Sequence, residues 1–301
     1  MSDWISLAAG QSYPAGTLYV VATPIGNVAD LSLRALHVLG LVDAIACEDT
    51  RNTGQLLARL GLQRPLVAVH EHNEREAAGR IVARLAAGER IAYVSDAGTP
   101  GISDPGARLV EAARAGGHAV VPLPGPSAAV AALSVAGGLL DTGAGRFTFV
   151  GFLPSKARAR AEAIAGLAGL DHAWVLYEAP HRIAETLAAL AEGLPGTRRL
   201  LIGRELTKLF EETPVLSVAE APGWLAADAA RAKGEFVLVV EGAAAVAADG
   251  APDAQAQRVL DLLLAELPAK RAAKLAAAIT GAQTDALYRL ALARRGDDGA
   301  A

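Results

Sequence analysis

Residues 91–106 join a short apolar strand to a loop rich in glycine and proline, and this stretch constrains the fold most. The run Ile91-Ala92-Tyr93-Val94 is typical of a buried strand, and residues 107–115 have helical apolar spacing. The loop SDAGTPGISDPG between them lets the backbone turn sharply and approach a ligand closely. Because ligands of open α/β sheets bind beyond the carboxyl ends of strands, the loop predicts a pocket floor. A turn-rich connection capped by an aspartate explains the composition about equally well.

The same alternation of strand, loop and helix runs through the first 124 residues. Further strands are predicted at 17–21, 44–47, 66–69 and 119–123, with helices at 31–39, 53–60 and 74–87, the second of them capped by Thr53. This alternation predicts a mostly parallel sheet with helices on both faces. We predict an α/β domain over residues 1–124, in which residues 1–16 form a loose leader.

The Pro-Gly turns of PLPGPSAAVAAL, residues 122–133, mark a change in the chain. Ser127 is the predicted cap of the helix that follows, and helix N-termini favour anionic or hydrogen-bond-accepting groups. Strands are then predicted at 147–151, 174–177, 200–203 and 236–240, with helices such as 157–167 and 183–191 between them. We predict a second α/β domain over residues 125–243, and the fold class is α/β with a ligand cleft between two such domains.

Residues 244–301 are predicted to form a linker of small residues and a basic tail of three helices, at 254–266, 270–279 and 284–295. Leu275 and Ile279 are expected to pack on Leu287, Leu290 and Leu292 in the manner of a helix-turn-helix pair. The basic residues on these helices indicate an RNA-docking module: Lys270, Arg271, Lys274, Arg289, Arg294 and Arg295. The alternative is a helical hairpin that covers the second domain or a dimer interface, with solvated charges.

Charge, hydropathy and cysteine content exclude several classes of protein. The net charge is −4, so any RNA contact must come from local patches. No apolar run is long enough to cross a bilayer, and the N-terminus lacks the basic and apolar segments typical of a signal peptide, so we expect a cytoplasmic protein without membrane association. The single cysteine, Cys47, excludes an intramolecular disulfide and suits a reducing compartment.

Polar side chains follow several of the predicted strands. Glu48, Asp49 and Arg51 come after the second strand and are expected to share a cleft with Asp96. The carboxylates could orient a hydroxyl or a cation and Arg51 could meet a phosphate, although a local ion pair is an equal alternative. His70 and His72 form an H-x-H pattern without a third ligand, so we expect no metal site.

Two further sets of residues are candidates for ligand contact. Glu178, Arg204 and Glu205 end strands of the second domain, where they are expected to face the first domain across the cleft. Lys156, Arg158 and Arg160 lie at the start of a helix, and either contact RNA or form a solvated helix face.

Eight motifs give the chain a family resemblance from Gly16 to Gly242. They are TPIGN (23–27), ACEDTRNT (46–53), HEHNE (70–74), SDAGTPGISDPG (95–106), PGPSAAV (124–130), GFLPSK (151–156), YEAPHRI (177–183) and GRELTKLFEE (203–212). In this order they resemble the ribosomal RNA small subunit methyltransferase I family of the tetrapyrrole-methylase superfamily, and the short basic tail is similar to the family's as well.

The resemblance implies a homodimer that binds S-adenosylmethionine in the interdomain cleft. The implied reaction is methylation of the ribose 2′-hydroxyl of a cytidine, cytidine 1402, in the decoding centre of 16S rRNA in the small ribosomal subunit. Carried over by position, the implied cofactor-binding residues are Pro24, Ile25, Asp96, Gly98, Thr99, Ser127, Ala128, Glu178, Leu206 and Phe236. RNA contacts are expected from Arg51, Lys156, Arg158, Arg160, Lys270, Arg271, Lys274 and Arg289.

A ribose hydroxyl is a weak nucleophile at neutral pH, so a carboxylate that accepts its proton would assist the reaction. Glu48, Asp49 and Asp104 are the candidates for this base, and the motifs do not choose among them. Two alternatives stay open. One is a tetrapyrrole methyltransferase of the precorrin type, with the same fold and cofactor, and the other is a non-catalytic RNA-binding assembly factor.

Overall fold

The computed structural model describes residues 6–70, 73–102, 106–244, 252 and 254–297. Two residues singled out by the sequence, His72 and Asp104, lie outside this part of the chain. The chain divides into two compact units, residues 1–243 and residues 244–301. Within the described ranges, no helix has the length and apolar content needed to cross a membrane.

The first sheet contains five parallel strands. These are β1 (Leu18–Val21), β2 (Ala44–Cys47), β3 (Leu66–Ala68), β4 (Ile91–Val94) and β5 (Val120–Leu123), in the spatial order β3-β2-β4-β1-β5. Helices cover both faces, which is why β2 and β4 are buried at every residue and read as continuous apolar runs. The predicted parallel sheet is therefore confirmed, and its strands end at one common edge.

The helices around this sheet are α1 (Ser6–Ala9), α2 (Leu33–Leu41), α3 (Thr50–Arg59), α4 (Glu74–Ala86) and α5 (Ala107–Ala115). α1 lies inside the segment that the sequence predicted to be a loose leader. The prediction that Thr53 caps α3 is wrong. Asp49 is the cap, because its carboxylate accepts the Arg51 amide at 2.8 Å and the helix begins at Thr50. Thr53 is buried within the helix.

The second sheet has five strands of mixed direction, of which the sequence predicted four. They are β6 (Phe147–Phe152), β7 (Ala173–Glu178), β8 (Arg199–Arg204), β9 (Val215–Ser217) and β10 (Phe236–Val240). The order is β6-β7-β10-β8-β9, and only the β6–β7 pair is parallel. The added strand, β9, is a three-residue edge strand, too short to give a clear alternation of apolar and polar residues.

Helices α6 (Ala128–Ser134), α7 (Ala157–Leu167), α8 (Ile183–Gly193) and α9 (Ala221–Ala226) accompany this sheet. Short 3-10 segments lie at Val28–Asp30, Gly137–Gly143 and Ala229–Ala232. Trp174 is fully buried in a core formed by one sheet face together with α7, α8 and α9. α6 packs on the other face, against Val175 and Val239. The second sheet is thus covered on both faces, as an α/β fold requires.

The direction of β10 places its first residue at the ligand-facing edge. Because β10 runs antiparallel to both neighbours, Phe236 lies opposite Glu178 at the end of β7 and opposite Arg204 at the end of β8. The start of one strand therefore shares an edge with the ends of two others, and all three residues approach the same region of the molecule.

Residues 254–297 form three helices, α10 (Ala254–Leu264), α11 (Ala269–Thr280) and α12 (Thr284–Asp297), close to the predicted bounds. The expected leucine packing is wrong in part: Leu287 is buried and Leu290 partly so, but Leu275, Ile279 and Leu292 are exposed. The core face of α11 consists of small residues, Ala269, Ala272, Ala273 and Ala276. Their spacing of three and four residues lets the helices pack closely.

We predict that Gly125→Ala destabilises the protein. A Cβ at this position would lie 2.8 Å from the Cβ of Ala22, which directly follows β1, so the loop after β5 would have to shift. The free energy of unfolding should fall by about 1–3 kcal/mol, the usual cost of overpacking. Urea denaturation measures the change.

The matched control is Gly166→Ala on the exposed face of α7, where an added Cβ meets no atom within 4 Å. Removing a helical glycine should stabilise the protein by roughly 0.5–1 kcal/mol. Equal effects of the two substitutions would contradict the close approach at Gly125.

Candidate active site

A cavity of about 300 Å³ lies where the carboxyl edge of the first sheet meets the second sheet. This volume is at the lower end of the range for small-molecule sites. One side of the cavity is lined by residues from the first half of the chain, up to the start of α6: Ile25, Ala97, Gly98, Thr99, Ile102, Ser127 and Ala128. Its lining from the second sheet is Phe152, Tyr177, Glu178, Ala179, Pro180, Gly203, Leu206, Glu235, Phe236 and Val237.

The floor of the cavity is fixed by hydrogen bonds between loops. Thr23 and Gly98 exchange a pair of backbone hydrogen bonds, at 2.8 and 3.0 Å, which join the loops after β1 and β4. The Thr23 hydroxyl donates to the Ser95 carbonyl at 3.1 Å, and the Thr99 hydroxyl donates to the Pro126 carbonyl at 3.0 Å. Three loops that are distant in sequence therefore form one rigid surface.

Gly98 is required by its backbone conformation. Its φ is +82°, in the left-handed region that favours glycine. An added Cβ would lie 3.4 Å from Cγ2 of Ile25 and 3.7 Å from the Pro126 carbonyl oxygen. The glycine therefore keeps backbone, rather than side chain, at the cavity surface.

Glu178 lines the cavity, but its carboxylate is already engaged within the protein. One oxygen accepts the Ala179 amide at 2.8 Å, and the other accepts the Thr186 hydroxyl at 2.6 Å. The guanidinium of Arg182 lies 3.3 Å away, and the Glu178 side chain is fully buried. Its carboxylate therefore fixes the turn between β7 and α8, which in turn positions the cavity wall.

The loop after β8 forms another part of the wall. Glu205 and Thr207 adopt positive φ angles of 50° and 68°, an uncommon conformation outside glycine. The ammonium of Lys208 holds this loop by donating to Glu205 and Glu235, both at 2.7 Å. An added Cβ at Gly26 would lie 2.5 Å from Cγ of Lys208, so the loop after β1 touches this loop directly.

An acidic cluster lies beside the cavity, at the ends of β2 and β4. Asp96 accepts the Asp49 amide at 3.1 Å and the Asn52 side-chain amide at 2.8 Å, and so ties the two strand ends together. Hydrogen bonds from Arg51 lower the pKa of Asp49 to about 2. Burial raises the pKa of Glu48, and the negative charges of Asp96 and Asp49 raise it further. The two adjacent carboxyls therefore differ in basicity, and Glu48 is the better proton acceptor.

The structure brings together most of the residues assigned to the cofactor by resemblance. All of them line the cavity except Pro24 and Asp96, each of which adjoins a lining residue. Sequence reasoning missed nine lining residues: Ala97, Ile102, Phe152, Tyr177, Ala179, Pro180, Gly203, Glu235 and Val237. Most of these lie inside the motifs that carry the resemblance, so the motifs marked segments that line the cavity without indicating which side chains point inward.

The basic residues near the start of α7 have different environments. Lys156 and Arg158 are exposed, and Arg158 pairs with Glu162 at 2.8 Å. Arg160 is buried, and its guanidinium donates to Glu185 at 2.8 Å and to the Ser155 carbonyl. The interpretation of Arg160 as an RNA contact is therefore corrected: its guanidinium is buried in an ion pair with the exposed Glu185.

Other predicted contacts are placed as follows. Arg51 is exposed and paired with Asp49 at 2.7 Å. In the C-terminal unit, Lys270, Arg271, Lys274 and Arg289 are exposed, whereas Arg294 pairs with Asp261. Among the residues that the structure describes, no group of three or more histidine, cysteine or acidic side chains is arranged to hold a metal ion.

The two sheets and the cleft between them define the class of protein. Residues 17–222 match the family model described as Tetrapyrrole (Corrin/Porphyrin) Methylases, and residues 250–295 match one described as RsmI C-terminal HTH domain. Solved structures share the fold. The methyltransferase CobJ has a TM-score of 0.57 at 22% identity, over 76% of this chain and 95% of that one. A uroporphyrin-III-C-methyltransferase from Thermus thermophilus has a TM-score of 0.51 at 24% identity, over 75% and 94%.

Relatives with higher sequence identity identify the family within this class of methylases. The chain is 50% identical over 282 residues to Ribosomal RNA small subunit methyltransferase I of Pseudomonas aeruginosa, covering 94% of this chain and 99% of that protein. It is 47% identical to the protein of the same name from Escherichia coli O157:H7, covering 93% and 96%. The chain belongs to the ribosomal RNA small subunit methyltransferase I family, and the resemblance of its motifs is confirmed.

We predict opposite pH dependences for Glu48→Gln and Asp49→Asn. The pKa of Glu48 is higher in the folded protein than in the unfolded chain. The protonated carboxyl therefore stabilises the fold at pH values below the pKa of the unfolded chain. This stabilisation is lost as the pH rises through the pKa of the folded protein. Relative to the parent, Glu48→Gln should therefore gain stability as pH rises from roughly 4 to 7. Urea denaturation across this range provides the measurement.

Asp49→Asn serves as the control of opposite sign. The pKa of Asp49 is lowered to about 2, so its stabilising contribution is present above the unfolded pKa and lost as pH falls toward the folded value. The asparagine variant should be less stable than the parent at neutral pH, and this difference should shrink in acid. The same trend in both variants would contradict the assigned environments.

Proposed function

We propose that the protein transfers a methyl group from S-adenosylmethionine to the ribose 2′-hydroxyl of a cytidine in the decoding centre of 16S rRNA. The observation that carries the proposal is the cavity of about 300 Å³ between the two sheets, lined by most of the residues that the family motifs assign to the cofactor. The relatives at about half identity are named small subunit rRNA methyltransferases, which supports rRNA as the substrate.

The lining residues suit a ligand that is apolar over most of its surface and polar at a few points. Gly98, Thr99 and Ser127 present backbone and hydroxyl groups on one side, and Leu206 and Phe236 present apolar surface on the other. Glycine at position 98 lets such a ligand approach the backbone, so the residues fit S-adenosylmethionine. When bound, S-adenosylmethionine supplies a methyl group that its positively charged sulfur has already activated.

Because the methyl group of S-adenosylmethionine is already activated, the protein has two tasks: to align the reactants and to accept the proton of the ribose hydroxyl. Glu48 is the carboxylate that we assign to proton acceptance, because burial and neighbouring negative charges raise its pKa. Asp49 is a weaker acceptor, since its bonds to Arg51 hold its pKa at about 2. The third candidate, Asp104, lies outside the described residues.

The C-terminal unit supplies the RNA-docking surface in this proposal. Lys270, Arg271, Lys274 and Arg289 are exposed on α11 and α12, where they can neutralise phosphates although the chain as a whole is negative. A homodimer and a cytoplasmic location belong to the same proposal. Val130 and Val135 are exposed apolar residues in and just after α6 that a second copy could cover, and a ribosomal substrate supports a cytoplasmic location.

We expect the purified protein to methylate small ribosomal subunits with labelled S-adenosylmethionine, at one cytidine ribose. Transfer to intact subunits should be faster than to naked rRNA, because a protein of net charge −4 depends on a shaped site rather than on general attraction to RNA. Mapping the labelled nucleotide gives the measurement.

Other outcomes would separate the alternatives. Transfer to a precorrin and not to subunits would identify a tetrapyrrole methyltransferase. Failure to bind S-adenosylmethionine in calorimetry, combined with binding to subunits, would identify a non-catalytic assembly factor.

Removing the C-terminal unit tests its role in docking. A chain cut after Gly250 should bind S-adenosylmethionine like the parent, because every cavity-lining residue is retained. Its kcat/KM for subunits should fall, with a weaker dependence on salt because fewer phosphates are neutralised. Filter binding and methylation assays at several salt concentrations give the measurement.

A full-length variant with alanine at Lys270, Arg271, Lys274 and Arg289 is the matched control, since it removes charge and keeps the helices. It should reproduce the loss seen on truncation. Full activity of both proteins at all salt concentrations would contradict the docking role.

A further inference from the structure

Two large apolar side chains line the cavity while remaining exposed. Ile102 is 43% exposed and Phe152 is 52% exposed. Single exposed apolar residues are common on protein surfaces. These two instead share one cavity and come from different sheets, Ile102 from the loop after β4 and Phe152 from the end of β6. Apolar surface of this kind inside a pocket is typical of a binding site.

The ring of Phe152 is held by other aromatic rings. Its centroid lies 5.8 Å from that of Tyr177 at an interplanar angle of 65°, and Tyr177 lies 5.1 Å from Phe149 at 68°. Edge-to-face pairs of this geometry are favourable and restrict ring rotation. A flat ligand that stacks on Phe152 therefore meets a ring that is already oriented, which lowers the entropic cost of binding.

Exposure separates these two residues from the apolar residues assigned to the cofactor. Leu206 and Phe236 are buried in the wall of the cavity, whereas Ile102 and Phe152 reach solvent. A small cofactor is enclosed by the buried part of a site, and a macromolecular substrate approaches from the solvent side. The position of Ile102 and Phe152 on the solvent side of the cavity therefore favours the methyl acceptor, rather than the cofactor, as their ligand.

Positive charge follows Phe152 along the chain. Lys156 directly precedes α7, four residues after Phe152, and its side chain is exposed, as is that of Arg158. RNA recognition commonly combines an aromatic ring that stacks on an unpaired base with basic side chains that contact the adjoining phosphates. The end of β6 and the start of α7 present these two features in sequence.

We propose that Phe152 and Ile102 bind the base of the target nucleotide, with Phe152 as a stacking surface and Lys156 on the neighbouring phosphate. This inference rests on the proposed rRNA methylation and assigns the acceptor side of the same cavity. The ligand is an unpaired nucleobase that has left its helix, and the two side chains hold it while the ribose hydroxyl faces the cofactor.

The test uses the full chain, S-adenosylmethionine and intact small subunits. Phe152→Ala and Ile102→Ala should each reduce kcat/KM for subunits, the first by about tenfold or more, as expected for the loss of base stacking. The Kd for S-adenosylmethionine, measured by calorimetry, should stay within about twofold of the parent, a free-energy change of less than about 0.5 kcal/mol. Phe152→Tyr should retain most of the activity.

Phe147→Ala is the matched control. Phe147 is 47% exposed and lies on the same strand as Phe152, but at the opposite end and outside the cavity lining. This variant should behave like the parent in both assays. If Phe152→Ala does not fold, as judged by circular dichroism, Phe152→Leu replaces it, because leucine keeps apolar volume and removes the stacking ring.

Three results would overturn the inference. Parent-like kcat/KM in the Phe152 variants would show that no base stacks there. A parallel rise in the Kd for S-adenosylmethionine would assign the ring to the cofactor instead. A parent enzyme that binds S-adenosylmethionine and fails to methylate subunits would overturn the proposed function and this inference with it.

Discussion

The two backbone hydrogen bonds between Thr23 and Gly98 are the contact on which the site depends. They join the loops after β1 and β4, which are neighbouring strands of the first sheet but lie more than seventy residues apart in sequence. The positive φ of Gly98 allows the exchange, and the Thr99 hydroxyl extends it to the Pro126 carbonyl. With this surface fixed, the cavity needs the second sheet only as its opposite wall.

The second wall depends on strand direction. In an all-parallel sheet, the first residue of β10 would lie at the edge away from the cavity. Because β10 is antiparallel to β7 and β8, Phe236 instead lies next to Glu178 at the cavity edge. The hydrogen bond from Thr186 and the ion pair with Arg182 hold the Glu178 carboxylate, and Lys208 holds the loop after β8. Each wall is thus stabilised by internal polar contacts.

The sequence was sufficient to predict the first sheet, the helices of the C-terminal unit and the segments that form the cavity. It was not sufficient where two residues of similar chemistry compete. Asp49 and Thr53 are both good caps, and only the start of α3 decides between them. Arg158 and Arg160 differ by two positions on a helix, which is enough to turn one to solvent and the other to Glu185. An apolar run such as Phe236–Val240 also does not indicate whether the strand runs parallel or antiparallel to its neighbours.

The internal hydrogen bonding of the walls has a consequence for how this site changes in evolution. The side chains of Thr99 and Glu178 form hydrogen bonds within the protein itself, so their removal would disturb the cavity walls whatever ligand the site takes. The apolar outline of the cavity and its exposed backbone are not tied to the framework by these bonds. Changes at rim positions such as Ile102 could therefore reshape the cavity, while the bonded framework beneath is inherited intact.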